Sequence, residues 1–273
     1  MIEYFEHDRK QLNRKSSKGN QLKFERGQIW VKADYLGYEG LAEFVVSGLL
    51  SCSSLQETEF VRYELEEISY NGTIFRACKS NDFTNGWQVI TLERLFMQKY
   101  GYGLNRLVYA IEDHTERLRT LVNQVEQLTG LHEFGTYMSK LLTIDTFFLN
   151  EDRHSHNLAV LTDGQNRFRL CPIFDNAAGI LSDTTLDYPM NQDVLIQMKK
   201  ARPKTFCDDF DEQLDIVESL FGSQIRFRFS WQEIQSLLTQ AEIYPPEIRQ
   251  RVCDILMQQR RKYRYLFEPA VDS

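Results

Sequence analysis

The chain has 273 residues, is 42% hydrophobic and 12% aromatic, and carries a formal net charge of -7. That is enough chain and apolar side chain for one large domain or two small lobes. The acidic balance argues against a free-standing nucleic-acid binder, because phosphate neutralisation needs a basic surface, although it leaves room for a local basic cleft.

The N-terminus, MIEYFEHDRKQ, is charged and lacks the apolar core of a secretory signal. Arg14-Lys15-Ser16-Ser17-Lys18-Gly19-Asn20 follows, a small, polar, cationic turn able to cover phosphates with backbone N–H groups. With one glycine it is neither a Walker loop nor a GxGxxG loop, and its composition suits a plain basic turn equally well. Residues 22–33 (LKFERGQIWVKA) predict a β-hairpin turning near Arg26-Gly27. Gly40–Leu50 has apolar residues at helical spacing and predicts an amphipathic helix. This stretch is too short to span a bilayer and contains Glu43, so no membrane partner is expected. Residues 60–78 predict a second hairpin, with Asn71-Gly72 suited to a type I′ turn.

After Asn85-Gly86 the pattern becomes helical, over 91–100, 104–128 and 132–149, with Gly101, Gly103 and Gly130 as punctuation. A loop carrying Asp152, Arg153, His154, His156 and Asn157 comes next. A short hairpin turning at Asp163-Gly164 follows, and its second strand, ending in CPIFDN, delivers Asp175. Residues 207–222, 231–241 and 246–266 predict further helices, the last opened by Pro245-Pro246. The expected fold class is therefore α+β and bilobal. A small β-rich N-lobe would span residues 1–84. A large helical C-lobe, residues 85–273, would carry the hairpin of residues 150–176.

Asp152, Asn157 and Asp175 hung on one loop–hairpin–loop have the layout of a kinase catalytic centre. The first Asp accepts the substrate hydroxyl proton, the Asn binds one Mg²⁺, and the last Asp bridges the Mg²⁺ and ATP phosphates. Such a centre also needs a strand lysine and a helix carboxylate, and Lys32 in QIWVKAD and Glu43 in GLAEF stand in that order. Lys23, on the partner strand, is a rival for the lysine role. His154 is expected to brace the loop or to help stabilise the transferring phosphoryl group, with His156 an ordinary loop residue. Two histidines with no third His or Cys nearby make a poor zinc site. The five cysteines, Cys52, Cys78, Cys171, Cys207 and Cys253, form no CxxC pair and suit free thiols in a reducing, cytoplasmic setting. Cys78 and Cys171 read as buried structural thiols.

At these residues the chain resembles the HipA-like serine/threonine kinases, above all their compact single-chain members. The resemblance rests on KADYLGYEGLAEFVVSGLL around Lys32 and Glu43, ACKSNDF around Cys78, EDRHSHN at Asp152–Asn157 and PIFDNAAG at Asp175, and runs from about residue 16 to about residue 180. The loop Asp-Arg-His-x-x-Asn is also similar to that of phosphoinositide 3- and 4-kinases, which are thought to share the same atypical kinase fold. The resemblance implies ATP and Mg²⁺ as cofactors. It makes Asp152 the catalytic base, with His154 and Asn157 beside it in the catalytic loop. Asn157 and Asp175 become the Mg²⁺ ligands. Lys32, oriented by Glu43, holds the phosphates together with the loop residues Ser16, Ser17, Lys18, Gly19 and Asn20. It further implies autophosphorylation at Ser16 or Ser17 that ejects the loop and switches the kinase off. The implied partners are a protein substrate, such as an aminoacyl-tRNA synthetase or another translation factor, and a DNA-binding antitoxin. Larger members carry an extra N-terminal subdomain, whereas only about fifteen residues precede the loop here, so a separate protein resembling that subdomain is the alternative partner. The Asp175 motif also departs from the usual form, with Asn176 after the Asp.

The expected activity is transfer of the ATP γ-phosphoryl group to a Ser/Thr hydroxyl on a protein. Rival expectations are a phosphoinositide or small-molecule kinase of the same fold, and a non-catalytic nucleotide-binding interaction module. The charge of -7 without a basic amphipathic helix speaks against the first, and the presence of Asp152, Asn157 and Asp175 together speaks against the second.

Overall fold

The computed structural model of the chain describes residues 1–10, 21–155 and 157–268. In chain order these residues form β1 (Ile2–Tyr4), β2 (Lys23–Arg26), β3 (Ile29–Ala33), α1 (Glu39–Leu50), β4 (Glu64–Tyr70), β5 (Thr73–Asn81) and β6 (Gln88–Thr91). Then come α2 (Leu92–Tyr100), α3 (Leu104–Val108), α4 (His114–Thr129), α5 (Phe134–Phe148), β7 (Ala159–Thr162) and β8 (Phe168–Leu170). The order closes with α6 (Val194–Met198), α7 (Phe210–Phe221), α8 (Trp231–Gln240) and α9 (Pro246–Lys262). The protein is α+β. No helix among the described residues is long and apolar enough to cross a membrane.

The chain divides into two compact units, neither continuous in sequence. The first comprises Met1–Phe83, Phe174–Ala201 and Arg226–Ser273. Its sheet runs in the order β1-β4-β5-β3-β2, with β1 parallel to β4 and the other pairs antiparallel. Asn71 and Gly72 both take left-handed backbone, with φ of 51° and 74°, which is the type I′ geometry whose twist suits the β4–β5 hairpin. One face of the sheet buries Tyr4, Phe24, Val31, Ala33, Ile68, Tyr70 and Ala77 in a single cluster. Each large side chain there contributes about 1.5–3 kcal/mol through its removal from water. Helix α1 is not the one-sided helix its periodicity suggests. It packs against both β5 and α8, so ten of its residues are buried, Glu43 completely.

The second unit comprises Thr84–Ile173 and Arg202–Ile225. Helix α5 packs on α7 and α4, and β6, β7 and β8 form an antiparallel sheet in that order. Two expectations need correction here. The helix expected over 104–128 is broken, because the Asp113 carboxylate accepts the Glu116 N–H at 2.8 Å and caps α4. Arg117 donates to the Ile111 carbonyl, satisfying a backbone group left open by that break. The second correction concerns the strand expected to end at Asp175. Strand β8 stops at Leu170, and Asp175 lies on irregular backbone of the first unit with φ of 63°. Left-handed backbone is uncommon for a residue with a Cβ, and Asp is among the side chains that tolerate it.

Candidate active site

The first unit holds a buried charge cluster. Lys32 on β3 donates from Nζ to Glu43 Oε1 at 2.7 Å and to Asp175 Oδ1 at 2.7 Å. Glu43 spends its second oxygen on the backbone N–H of Asn176, at 2.9 Å, so one carboxylate ties the strand lysine to the chain immediately after Asp175. Burial works against the Lys32 charge, but Asp175 and Glu43 outweigh it and hold the ammonium well above the ordinary lysine range. Lys32 Nζ also stands 5.4 Å from the Tyr63 ring centroid, a favourable cation–π distance. Val61, Tyr63, Cys78, Phe83 and Phe174 form an apolar cluster beside it. Burial pushes the Cys78 thiol and the Tyr63 phenol up, so both stay neutral.

Helix α1 carries Glu43 into place because its first turn is anchored from several directions. The Glu39 carboxylate accepts the backbone N–H groups of Tyr35, Leu36 and Gly37. Asp34 accepts from the Gly40 N–H at 2.6 Å and from the Tyr244 hydroxyl at 2.8 Å. Gly40 is required by this close approach, since a Cβ there would meet Tyr244 Oη at 2.9 Å and Asp34 Oδ1 at 3.0 Å. Burial, aided by the nearby Glu39 charge, raises the Asp34 carboxyl to about 7. The chain after Asp175 is laced to the same turn. The Tyr38 hydroxyl donates to Ile180 O at 2.7 Å, and Thr184 and Thr185 donate their N–H groups to Leu36 O. Buried Arg251 on α9 donates to the Tyr38 hydroxyl, Tyr188 O and Gln197 Oε1.

The second unit holds the loop after α5. Leu149 ends that helix in left-handed backbone, φ 55°. Asn157 donates from Nδ2 to Asp152 O at 2.7 Å and to Asp152 Oδ2 at 3.2 Å, and its own N–H bonds His154 O at 2.7 Å. Its amide oxygen is thereby turned away from Asp152, an oxygen donor of the kind Mg²⁺ takes. His154 Nε2 lies 3.6 Å from Asp152 Oδ1. Beneath the loop, Arg153 is 2% exposed and grips buried Asp145 of α5 through Nε and Nη2, at 3.0 and 3.1 Å. Asn150 donates to the same carboxylate at 2.8 Å and accepts the Asp152 N–H at 3.3 Å. Burial pushes the Asp145 carboxyl up, while Arg153 and Asn150 hold it down. Among the described residues, no three His, Cys, Asp or Glu side chains are grouped as metal ligands.

The structure thus unites Lys32, Glu43 and Asp175 in one cluster, and Asp152, His154 and Asn157 in another. Ser16, Ser17, Lys18, Gly19 and Asn20 lie outside the described residues, as does His156. The sequence reading missed Asp145, Asn150, Asp34, Tyr38 and Arg251. Asp145 had a signal, a carboxylate inside an otherwise apolar helix (LLTIDTFF) eight residues before an arginine. Arg251 had none.

No protein-family model and no curated protein matches the chain by sequence. Its fold matches that of a Helicobacter pylori proinflammatory kinase, CtkA, with a TM-score of 0.61 and 14% identity, over 92% of this chain and 90% of that one. The chain therefore shares its fold with that kinase. A HipA of Shewanella oneidensis, in a complex with HipB and operator DNA, aligns at a TM-score of 0.46 and 12% identity. That alignment covers 88% of this chain and 60% of that one.

Proposed function

We propose that the protein is an ATP- and Mg²⁺-dependent serine/threonine protein kinase of the HipA-like type. The observation that carries the reading is the meeting of Lys32, Glu43 and Asp175 at 2.7 Å, across 11 and 143 residues of chain. A folded scaffold has no evident structural need for a lysine buried between two carboxylates, whereas polyphosphate transfer does need one.

In this reading Lys32, oriented by Glu43, neutralises the ATP phosphates. Asp152 orients the acceptor hydroxyl and takes its proton as the oxygen attacks Pγ. The bond from Pγ to the β,γ-bridging oxygen breaks, and ADP leaves with that electron pair. Asn157 and Asp175 would hold Mg²⁺, which supplies charge neutralisation to the phosphates when bound. His154 braces Asp152. Residues 1–84 would act as the nucleotide-holding lobe and 85–273 as the lobe of the catalytic hairpin. Ser16–Asn20 would cover the phosphates, and phosphate on Ser16 or Ser17, adding about -1.5 to -2 charge, would repel ATP and switch the enzyme off. A protein substrate in translation, a DNA-binding antitoxin partner and a cytoplasmic setting follow from the sequence resemblance and belong to the same proposal.

The test is transfer of labelled γ-phosphate from ATP, with Mg²⁺, to the chain itself and to a protein extract. Transfer by the wild type and none by folded Asp175→Ala is expected, with phosphate mapped by mass spectrometry. Near-normal transfer by Asp175→Ala would overturn the assignment.

A further inference from the structure

Lys23 of β2 lies directly opposite Lys32 of β3 in the antiparallel register. Directly opposed residues project to the same face of the sheet, so two ammonium groups share one side of this hairpin. Like charges so placed are destabilising. Lys32 is compensated by two carboxylates at 2.7 Å each. No carboxylate among the described residues lies within ion-pairing distance of Lys23 Nζ. The charged and titratable groups that face Lys23 are Asp175, Lys32, Glu43 and Cys78, all of them members or neighbours of the Lys32 cluster. Burial, the largest influence, holds its ammonium below the ordinary lysine range.

An edge strand often carries lysine to prevent unwanted strand pairing, and β2 is at the edge of its sheet. A guard of that kind sits in water. Lys23 is half-buried and turned toward the cluster instead, an expensive position for a cation unless an anion arrives.

We propose that Lys23 is a second phosphate-holding cation. Lys32 is neutralised and aimed by Glu43 and Asp175, and Lys23, across the hairpin from it, takes up the excess charge of a nucleoside di- or triphosphate. This deepens the kinase reading and rests on it. A lysine is a compact point charge suited to shared phosphate oxygens, and its three donors need no fixed plane. The two lysines therefore divide the labour, one placed by protein carboxylates and the other placed by the ligand.

The full-length wild type, Lys23→Met, Lys23→Arg and Lys32→Met are titrated calorimetrically with ATP, ADP and AMP in the presence of Mg²⁺, and their thermal unfolding is measured without nucleotide. Lys23→Met should weaken ATP and ADP binding about ten- to a hundredfold, the worth of one charge-assisted contact, and AMP much less. Lys23→Arg should restore most of that loss. Without nucleotide, Lys23→Met should unfold no earlier than the wild type, because an opposed like charge has been removed. ATP affinity within about twofold of wild type in folded Lys23→Met would overturn the proposal, as would equal weakening for ATP and AMP. If Lys23→Met does not fold, Lys23→Gln is read by the same criteria. A wild type that binds neither ATP nor ADP overturns the kinase reading itself. Normal binding by the wild type with an indifferent Lys23 overturns only the second-cation role.

Discussion

Lys32, Glu43 and Asp175 are joined from segments 11 and 143 residues apart, whereas the bonds that shape the Asp152 loop span five and eight residues. The first cluster exists only because a strand, a helix and an irregular segment pack together. The second is a property of one loop and the helix before it. They also differ in where the buried charge lies. In the first cluster Glu43 is fully buried, while Lys32 and Asp175 keep 15% and 28% side-chain exposure, so the buried carboxylate serves the two partly exposed groups. In the loop the buried pair, Arg153 with Asp145, lies beneath the residues assigned to chemistry and supports their backbone. The lesson is that one cluster should respond to mutation mainly in activity and the other mainly in stability, with Asp152 as the exception inside the loop.

The largest effect should come at that exception. Asp152→Asn should lower kcat by about 10²–10⁴, the range of a lost general base, while ATP affinity and thermal stability change little. Equal loss of ATP binding and turnover would make Asp152 a metal or phosphate ligand instead. Next, Asp145→Ala should cost about 3–5 kcal/mol of stability in urea unfolding, since it leaves Arg153 buried without its carboxylate. The double variant Asp145→Leu/Arg153→Leu should recover much of that loss, because two apolar groups leave no charge behind. If the single variant is as stable as the wild type, the loop is not held from beneath.

Glu43→Gln sharpens the contrast from the other side. Lys32 keeps Asp175 and the fold keeps its helix, so stability should fall by only about 1–2 kcal/mol, within the usual range for a buried group that retains hydrogen bonding. Turnover should fall about tenfold or more, as the lysine loses its orienting partner. Equal activity with lower stability would place Glu43 in the scaffold.

The smallest effect is a pH dependence. Asp34 holds its proton up to about pH 7 when folded, against an ordinary value near 3.8. Its contribution to stability is therefore complete below the ordinary value and is lost as pH rises through about 7. The slope from this one group cannot exceed about 1.4 kcal/mol per pH unit. Asp34→Asn should flatten the wild-type decline in unfolding free energy between about pH 5 and 7. An unchanged slope would show that another group titrates there.

Much of the fold was open to a reader of the sequence. The β2–β3 and β4–β5 hairpins, α1 and α5 have local causes, a period-two or helical apolar pattern and turn residues able to take left-handed backbone. The hairpin after the Asp152 loop was legible at Asp163-Gly164 for the same reason. Local periodicity failed where a single polar side chain redirected the chain, as at the Asp113 cap, and where elements were as short as β1, β6 and α6. Motif spacing likewise gave Asp152 and Asn157 their neighbourhood, because a loop of six residues leaves them little choice.

The sequence by itself determined which side chains were available and which would be local neighbours, since hairpin turns, helix caps and a tight loop are set by residues a few positions apart. Only the tertiary structure decided that Asp175 leaves the strand and joins Lys32 and Glu43, that Arg153 turns inward to Asp145, and that Lys23 faces the charge cluster with no paired carboxylate among the described residues. Pairings of that kind depend on burial, which sets the cost of every unpaired charge. Burial belongs to the packed chain, not to any window of its sequence.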